Sequence, residues 1–324
     1  MTIAIIGGTG FLGPEIARRL LARGVTPLVI ARGKHPVALP DGAIFAAADR
    51  MDNAALIALF KSHAVAAVID VFSLSLRNTQ AVLDAVATIG ARYVLVSSTD
   101  VYSNYEGLIK RAAPPIRLAP ATEDAPLRTI RYPYRANARR PQGVEDDLFE
   151  DYDKLPIEDA ARADPRLAAT IIRAPMIFGP GDKQHRFKWA IDAATAGGVA
   201  KLDARAGRWP NSYGYVVDVA DALALAATDP RAAGRTYNVG QPFVRTPIEW
   251  LLSFAVILNR SLEVETVPPA EHGLQWERAE ASDLRYPLTL DTTRIRTELG
   301  FSELVPERDA LLATIAWEQS QTPP

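Results

Sequence analysis

The sequence predicts an α/β fold, a doubly wound parallel sheet with a smaller C-terminal part. Three observations point there. Short β-branched runs alternate with segments of helical period through the first hundred residues. The runs are apolar on both faces, as strands covered by helices on each side must be. The first run, residues 3–6, is followed by Gly7, Gly10 and Gly13, then by Pro14 at the start of a helical segment.

That first unit organises the chain and makes the sheet Rossmann-type. In a strand–turn–helix, one glycine allows the tight turn, one lets the backbone approach a phosphate, and one lets the helix pack on the strand. The helix that follows, residues 14–24, aims unpaired N–H groups and the positive end of its dipole at the same place. Gly7, Thr9, Gly10, Phe11, Leu12 and Gly13 are therefore candidates to hold a pyrophosphate. Residues 26–30 form the second strand, whose end meets the adenosine ribose. An acidic residue there would bind the 2′-hydroxyl of NAD, and a basic one tolerates the 2′-phosphate of NADP. The end reads Ala31-Arg32-Gly33-Lys34, so Arg32 and Lys34 favour NADP, with NAD as second choice.

Residues 43–47 form a third strand, and Asp49 beyond it is placed to accept a hydrogen bond from adenine. Asp52 reads as the cap of a helix over 54–62. A fourth strand (65–71), a helix (78–90) and a fifth strand (93–96) continue the rhythm. Ligands of such sheets lie outside the carboxyl ends of the strands. That rule gathers Gly7 to Gly13, Arg32, Asp49, Phe72, Ser73 and Ser97 to Tyr102 on one surface.

Composition narrows the class. The chain has 324 residues, a net charge of -2 and no cysteine. Disulfides and thiolate chemistry are excluded, and the charge gives no reason to expect nucleic acid or an anionic membrane as partner. The four histidines stand without ligand spacing, so no metal is expected. No apolar run is long enough to span a bilayer, and the N-terminus enters a core strand directly, which points to the cytoplasm. A small-molecule substrate is the expected partner; a homodimer is compatible with the sequence.

The end of the fifth strand, Ser97-Ser98-Thr99-Asp100-Val101-Tyr102, resembles the extended short-chain dehydrogenase/reductase family, the NAD(P)-dependent epimerases, dehydratases and reductases. Other matching pieces are Gly7-Gly8-Thr9-Gly10-Phe11-Leu12-Gly13, the pair Asp49-Arg50, the run from Ile171 to Asp182, Val216 to Asp221, and Tyr237 to Gly240. The resemblance implies a dinucleotide-binding part over residues 1–180, with 210–240 returning to it, and a mainly substrate-binding part over 181–324. It places Arg50, Pro175 and Ile177 at the cofactor and Ser98 at the substrate oxygen. Acids in the two positions after this hydroxyl mark the family's dehydratases. Thr99 and Asp100 supply one of two.

The family's acid/base is a Tyr with a Lys four residues later. The spacing from residues 171–173 puts the Lys at Lys154, followed by Glu158, but four residues before it stands Glu150. Tyr152 is two positions off, a turn of about 200° on a helix. Pro156 opposes a helix interior, so the helix should start late or kink. Tyr152 acting from an irregular segment beside Lys154, another tyrosine (Tyr102, Tyr132 or Tyr134), Glu150 as a base, or loss of the pair all remain open. The expected function is hydride transfer on a small anionic or nucleotide-linked carbonyl or sugar, with Ser98, Tyr152 and Lys154 as catalytic group. The alternative is a non-catalytic NAD(P)-binding regulator or an RNA-associated relative.

Four further stretches carry charge. Residues 128–135 mix arginines with aromatics, as a clamp for a substrate anion or as a solvated basic surface, and Glu145-Asp146-Asp147 could pair with them. The cations of 183–189 and 201–209 would suit an anionic substrate. Residues 213–219 resemble the family's returning strand and the helix after it.

Overall fold

The computed structural model describes residues 1–33, 38–135 and 149–321. Lys34 and the acidic run 145–147 lie outside them. Strand β1 (Thr2–Ile6) leads through the glycine loop into α1 (Gly13–Ala22), followed by β2 (Thr26–Ala31), β3 (Ile44–Ala47), α2 (Asn53–Ser62), β4 (Val65–Asp70), α3 (Leu76–Ile89) and β5 (Arg92–Ser98). A short helix α4 (Ser103–Leu108) opens the long segment after β5. Then come α5 (Lys154–Ala163), β6 (Thr170–Ala174) and β7 (Met176–Phe178).

The central sheet has seven strands in the order β10-β6-β5-β4-β1-β2-β3, where β10 is Thr236–Asn238. Every pairing is parallel. The order reverses between β1 and β4, which opens the crevice where such sheets take ligands. Side chains alternate strictly. Ile3 and Ile5 enter the core on the α1 side, while Ala4 and Ile6 enter the core under α2 and α3. Both faces are dry, which is why the strands read as unbroken apolar runs.

The returning strand is not the one the sequence suggested. Tyr213–Tyr215 (β9) pairs with β7 in a separate two-stranded sheet. Pro175 follows β6 and interrupts its ladder, so β7 and its partner leave the central sheet. What returns is the helix Val216–Thr228, which packs beneath β4 and β5, and then β10. The remaining C-terminal elements include a second two-stranded sheet, Gly198–Asp203 with Leu262–Val267. The core on the α1 side runs on without a break into Phe187, Trp250, Phe254 and Ile315 of this part.

Local chemistry explains the boundaries around the site. Asp52 caps α2 by accepting from Ala55 N at 2.9 Å. Ser75 and Asn78 form a reciprocal capping box on α3. Helix α5 does start late. Asp153 caps it by accepting from Leu155 N at 3.0 Å, and Pro156 falls in the first turn, where its missing N–H costs nothing.

Candidate active site

The glycine loop has the shape a pyrophosphate needs. A Cβ on Gly13 would lie 2.1 Å from Gly8 O, so only glycine lets α1 seat against the loop. Gly7 adopts φ +75°, and a Cβ there would meet Phe72 Cβ at 2.6 Å. A Cβ on Gly10, by contrast, would meet nothing within 4 Å among the described residues. Helix α1 begins at Gly13, and its N-cap residue Leu12 makes no side-chain cap hydrogen bond, so the first amides of the helix are not taken up by a capping side chain. The residues present therefore fit a dinucleotide. Leu12 buries its side chain in the core and contributes backbone only, and Phe11 lies against Gly181 from the neighbouring loop.

Other residues expected at the cofactor divide into two groups. Arg32 and Asp49 are exposed at the ends of β2 and β3, and Asp49 accepts from Met51 N at 2.9 Å. Phe72 is partly exposed beside Gly7. Pro175 is buried at the end of β6. Arg50 has a different task. It grips Asp70 through two hydrogen bonds, 3.0 and 2.7 Å, and reaches the carbonyls of Phe72 and Asn78. Tyr93 adds its hydroxyl to Asp70 at 2.9 Å. This ion pair sets the end of β4 against α3, and the guanidinium is consumed in doing so. The Ile177 carbonyl accepts from Arg186 at 2.9 Å within the β7–β9 region.

At the end of β5 the expected catalytic residues come together. Because α5 begins at Lys154, Tyr152 stands before it rather than on it, and the helical offset that separated the two does not apply. The Tyr152 hydroxyl donates to Asp100 Oδ2 at 2.6 Å. Lys154 donates to the carbonyls of Ser73 at 2.5 Å and Val96 at 2.9 Å, and its Nζ lies 5.8 Å from the Tyr152 ring centroid. Ser98 Oγ accepts from Asp100 N at 3.3 Å, which uses a lone pair and leaves its proton to donate.

Burial dominates the electrostatics. It lowers Lys154 to a pKa of about 8, against the pull of the Asp100 and Asp70 charges. It raises Asp100, with the Arg128 charge and the Tyr152 hydrogen bond opposing. It also drives Tyr152 well above the ordinary tyrosine range, helped by the Asp100 charge.

The other tyrosines considered as donors are placed elsewhere. Tyr102 donates to Asn238 Oδ1 at 2.5 Å, and burial pushes it up to about 12. Tyr134 shares a 2.5 Å hydrogen bond with Tyr105 and packs its ring on Tyr152, centroids 5.0 Å apart. Tyr132, at φ +52°, lies under the Arg135 guanidinium. Glu150 stands outside α5, and its carbonyl accepts from Arg135.

Arg128 departs from the reading of its stretch as a substrate clamp or a solvated surface, while Arg131 and Arg135 of the same stretch are about half exposed. The Arg128 side chain is fully buried. It pairs with Asp153, donates to Asp100 O at 2.9 Å and also to Ile130 O. Asp153 also accepts from Tyr132 N at 3.0 Å. One cation thus ties the turn carrying Asp100 to the segment carrying Tyr152 and Lys154. Nothing in its sequence neighbours marks it apart from Arg131 and Arg135. Cations farther on are also engaged: Arg186 with Asp182, Lys188 with Asp192, Lys201 with Glu271, and Arg205 with Asp203 and Glu280. Trp209 is buried, with its indole N–H on Tyr286 O.

Among the described residues no cluster of acidic and histidine side chains could hold a metal, and no helix is long and apolar enough to cross a membrane.

Comparison with solved structures finds the same fold over nearly the whole chain. UDP-glucose 4-epimerase of Thermotoga maritima, crystallised with UDP-glucose, matches 99% of each chain at 18% identity and a TM-score of 0.70. The UDP-glucose-4-epimerase of Stenotrophomonas maltophila, with bound NAD and formylated UDP-arabinopyranose, matches 99% of this chain and 98% of its own at 18% identity and a TM-score of 0.71. dTDP-glucose 4,6-dehydratase of Bacillus anthracis in complex with NAD matches 99% and 97% at 16% identity and a TM-score of 0.69. No curated protein sequence matches this chain. The profile of the NAD dependent epimerase/dehydratase family matches residues 3–137 and 154–240, resuming at Lys154. With that profile matched over more than half of its length, the chain belongs to the NAD-dependent epimerase/dehydratase family of enzymes.

Proposed function

We propose that this enzyme binds NADP(H) in preference to NAD(H) and oxidises, reduces or epimerises a carbinol or carbonyl carbon of a nucleotide-linked sugar. The single observation that carries the catalytic reading is the hydrogen-bonded approach of Tyr152 to the end of β5, with Lys154 on the same segment. Three solved structures of the same fold support the substrate class: a UDP-glucose 4-epimerase with UDP-glucose, a dTDP-glucose 4,6-dehydratase with NAD, and a UDP-glucose-4-epimerase with NAD and a formylated UDP-sugar. Arg32, with no carboxylate at the end of β2, supports the 2′-phosphate. Bound at the glycine loop, the dinucleotide supplies hydride exchange at its nicotinamide C4.

The chain's own residues do the rest. Ser98 Oγ donates to the substrate oxygen and fixes the reacting carbon. Tyr152 Oη gives a proton to that oxygen in reduction and takes one in oxidation. Two of the Lys154 ammonium hydrogens are held by backbone carbonyls. The third faces Ser73 Oγ at 3.5 Å, a contact too long to compete with a ribose hydroxyl.

The test is fluorescence titration with NADPH and NADH, followed by turnover on a panel of UDP- and dTDP-sugars for wild type, Ser98→Ala and Tyr152→Phe. Both variants should bind the dinucleotide as wild type does and lose about 10²-fold or more in kcat. Dinucleotide binding with no turnover of any sugar by wild type would overturn the catalytic reading. Tighter binding of NADH would overturn the cofactor preference.

A further inference from the structure

We propose that Asp100 stores the proton that Tyr152 exchanges with the substrate, so that carboxylate and phenol act as one acid–base unit in place of the family's single tyrosine. The proposal rests on the reading of Tyr152 given above and adds a second member to it. Asp100 is 4% exposed. One carboxylate oxygen takes the Tyr152 hydroxyl at 2.6 Å, and the other, Oδ1, is buried with no hydrogen-bond partner among the described residues. A buried carboxylate oxygen left unpaired is costly, and a catalytic role is one of the few reasons a fold keeps one. The backbone of Asp100 is held on both sides, its N–H on Ser98 Oγ and its carbonyl by Arg128. The carboxylate therefore keeps register with the residue proposed to hold the substrate oxygen.

Charged and titratable groups face Asp100 from every element packed on it. The segment entering α5 presents Tyr152 and Asp153, and the first residue of α5 is Lys154; the segment after β5 presents Arg128 and Tyr134; α4 presents Tyr105. The two cations do not cap the carboxylate. Arg128 directs its N–H groups to Asp153 and to the backbone carbonyls of Asp100 and Ile130, and Lys154 directs two of its own to those of Ser73 and Val96. They stabilise charge nearby and leave the oxygens open to a proton.

A store is needed because Tyr152 cannot be one. In the family pattern an adjacent lysine lowers the tyrosine toward working pH. Here burial and the Asp100 charge move Tyr152 the other way, so tyrosinate has a negligible population near pH 7. A relay avoids tyrosinate. In alcohol oxidation the substrate O–H bond breaks as its proton joins Tyr152 Oη. The Tyr152 O–H bond breaks as that proton joins Asp100 Oδ2. The two electrons leave with the hydride of the family's chemistry, and a neutral tyrosine and a neutral carboxylic acid remain. Reduction runs the same transfers backwards from protonated Asp100.

The test reads the pair directly. In the protein with ¹³Cζ-labelled tyrosine, the Tyr152 resonance, identified by its loss in Tyr152→Phe, should step with pH at a carboxylate titration above the ordinary value of about 3.9. The step should vanish in Asp100→Asn. On the enzyme, Asp100→Asn should lower kcat by about 10²- to 10⁴-fold with KM nearly unchanged and erase the acidic limb of the kcat profile, and Asp100→Glu should restore part of both. A Tyr152 resonance flat from pH 4 to 9 in wild type overturns the proposal even if Asp100→Asn does not fold. So does an Asp100→Asn enzyme with wild-type kcat and pH profile while Tyr152→Phe is inactive. Wild-type turnover by Tyr152→Phe would instead remove the underlying reading.

Discussion

Arg173 grips Glu158 through two parallel hydrogen bonds, Nε to Oε1 at 3.0 Å and Nη2 to Oε2 at 2.7 Å, with both side chains at 2% exposure or less. Ser97 adds its hydroxyl at 2.5 Å and Arg162 a further 2.8 Å contact. The pair fastens α5 to β6, and so holds the helix that begins at Lys154 against the end of the sheet. Removing one partner strands the other as a buried charge, at a cost of about 3–5 kcal/mol. Arg173→Met and Glu158→Gln should each lower the urea midpoint accordingly. The combined variant should be less destabilised than the sum of the two.

The same pair gives stability a pH dependence. Burial alone would raise Glu158, but the hydrogen bonds and charge of Arg173 more than offset it, with Ser97 and Arg162 adding, so its folded pKa is depressed. A depressed carboxylate binds its proton more readily unfolded than folded. Its contribution is therefore complete above the unfolded value of about 4.3 and is lost as pH falls through the folded one. Denaturation curves between pH 7 and 3 should show wild type losing stability below about pH 4.3 more steeply than Glu158→Gln. Parallel curves would refute this.

Two glycines of the same loop should fail differently. At Gly13 an added methyl would overlap the backbone carbonyl of Gly8, which cannot swing aside, so Gly13→Ala should unfold at markedly lower temperature. At Gly10 there is open space, and Gly10→Ala should melt within a degree or two of wild type. Its methyl would occupy the space proposed for a phosphate, so NADPH affinity should drop at least tenfold. Equal affinities for Gly10→Ala and wild type would place the pyrophosphate elsewhere.

How much of this was readable from the chain depends on the range of the interactions. Strands β1 to β5 and their helices follow local period and caps, and Asp52 and Pro156 act within their own turns, so the sequence revealed them. The late start of α5 was also visible, because proline restricts its own neighbourhood. The roles of Arg128, Arg50 and Asp100 were not. Each is defined by partners about 20 to 50 residues away, Asp153 for Arg128, Asp70 for Arg50 and Tyr152 for Asp100. An arginine in an aromatic-rich stretch looks the same whether it faces solvent or a buried carboxylate. The seventh strand was missed for a related reason: Tyr213–Tyr215 and Thr236–Asn238 are both three-residue strands, and only the chain's exit at Pro175 decides which joins the sheet.

Lys154 offers a measurement in the alkaline range. Burial lowers its folded pKa to about 8 from an unfolded value near 10.4. Between these two values the unfolded chain binds the extra proton, so this residue makes stability rise with pH across that window. The difference in unfolding free energy between wild type and Lys154→Met should therefore shift in favour of wild type from about pH 8 to 10. A difference that does not change over that interval would mean the amine is solvated.

Arg128 gives the sharpest separation of structure from chemistry. It bonds the Asp100 carbonyl and the Asp153 carboxylate at once, without a direct hydrogen bond to the side chains of Tyr152 or Lys154. Arg128→Lys keeps the charge but loses the planar fork that serves three acceptors. The lysine should retain the Asp153 pair and release the Asp100 carbonyl, freeing the turn that carries Ser98 and Asp100 from the segment that carries Tyr152. NADPH affinity, proposed to be set at the glycine loop, should be unchanged, while kcat falls about tenfold or more from misplacement alone. Arg128→Met, which leaves Asp153 buried without its cation, should in addition lose about 3–5 kcal/mol of stability. If Arg128→Lys turned over at the wild-type rate, the three-way tie would be packing only.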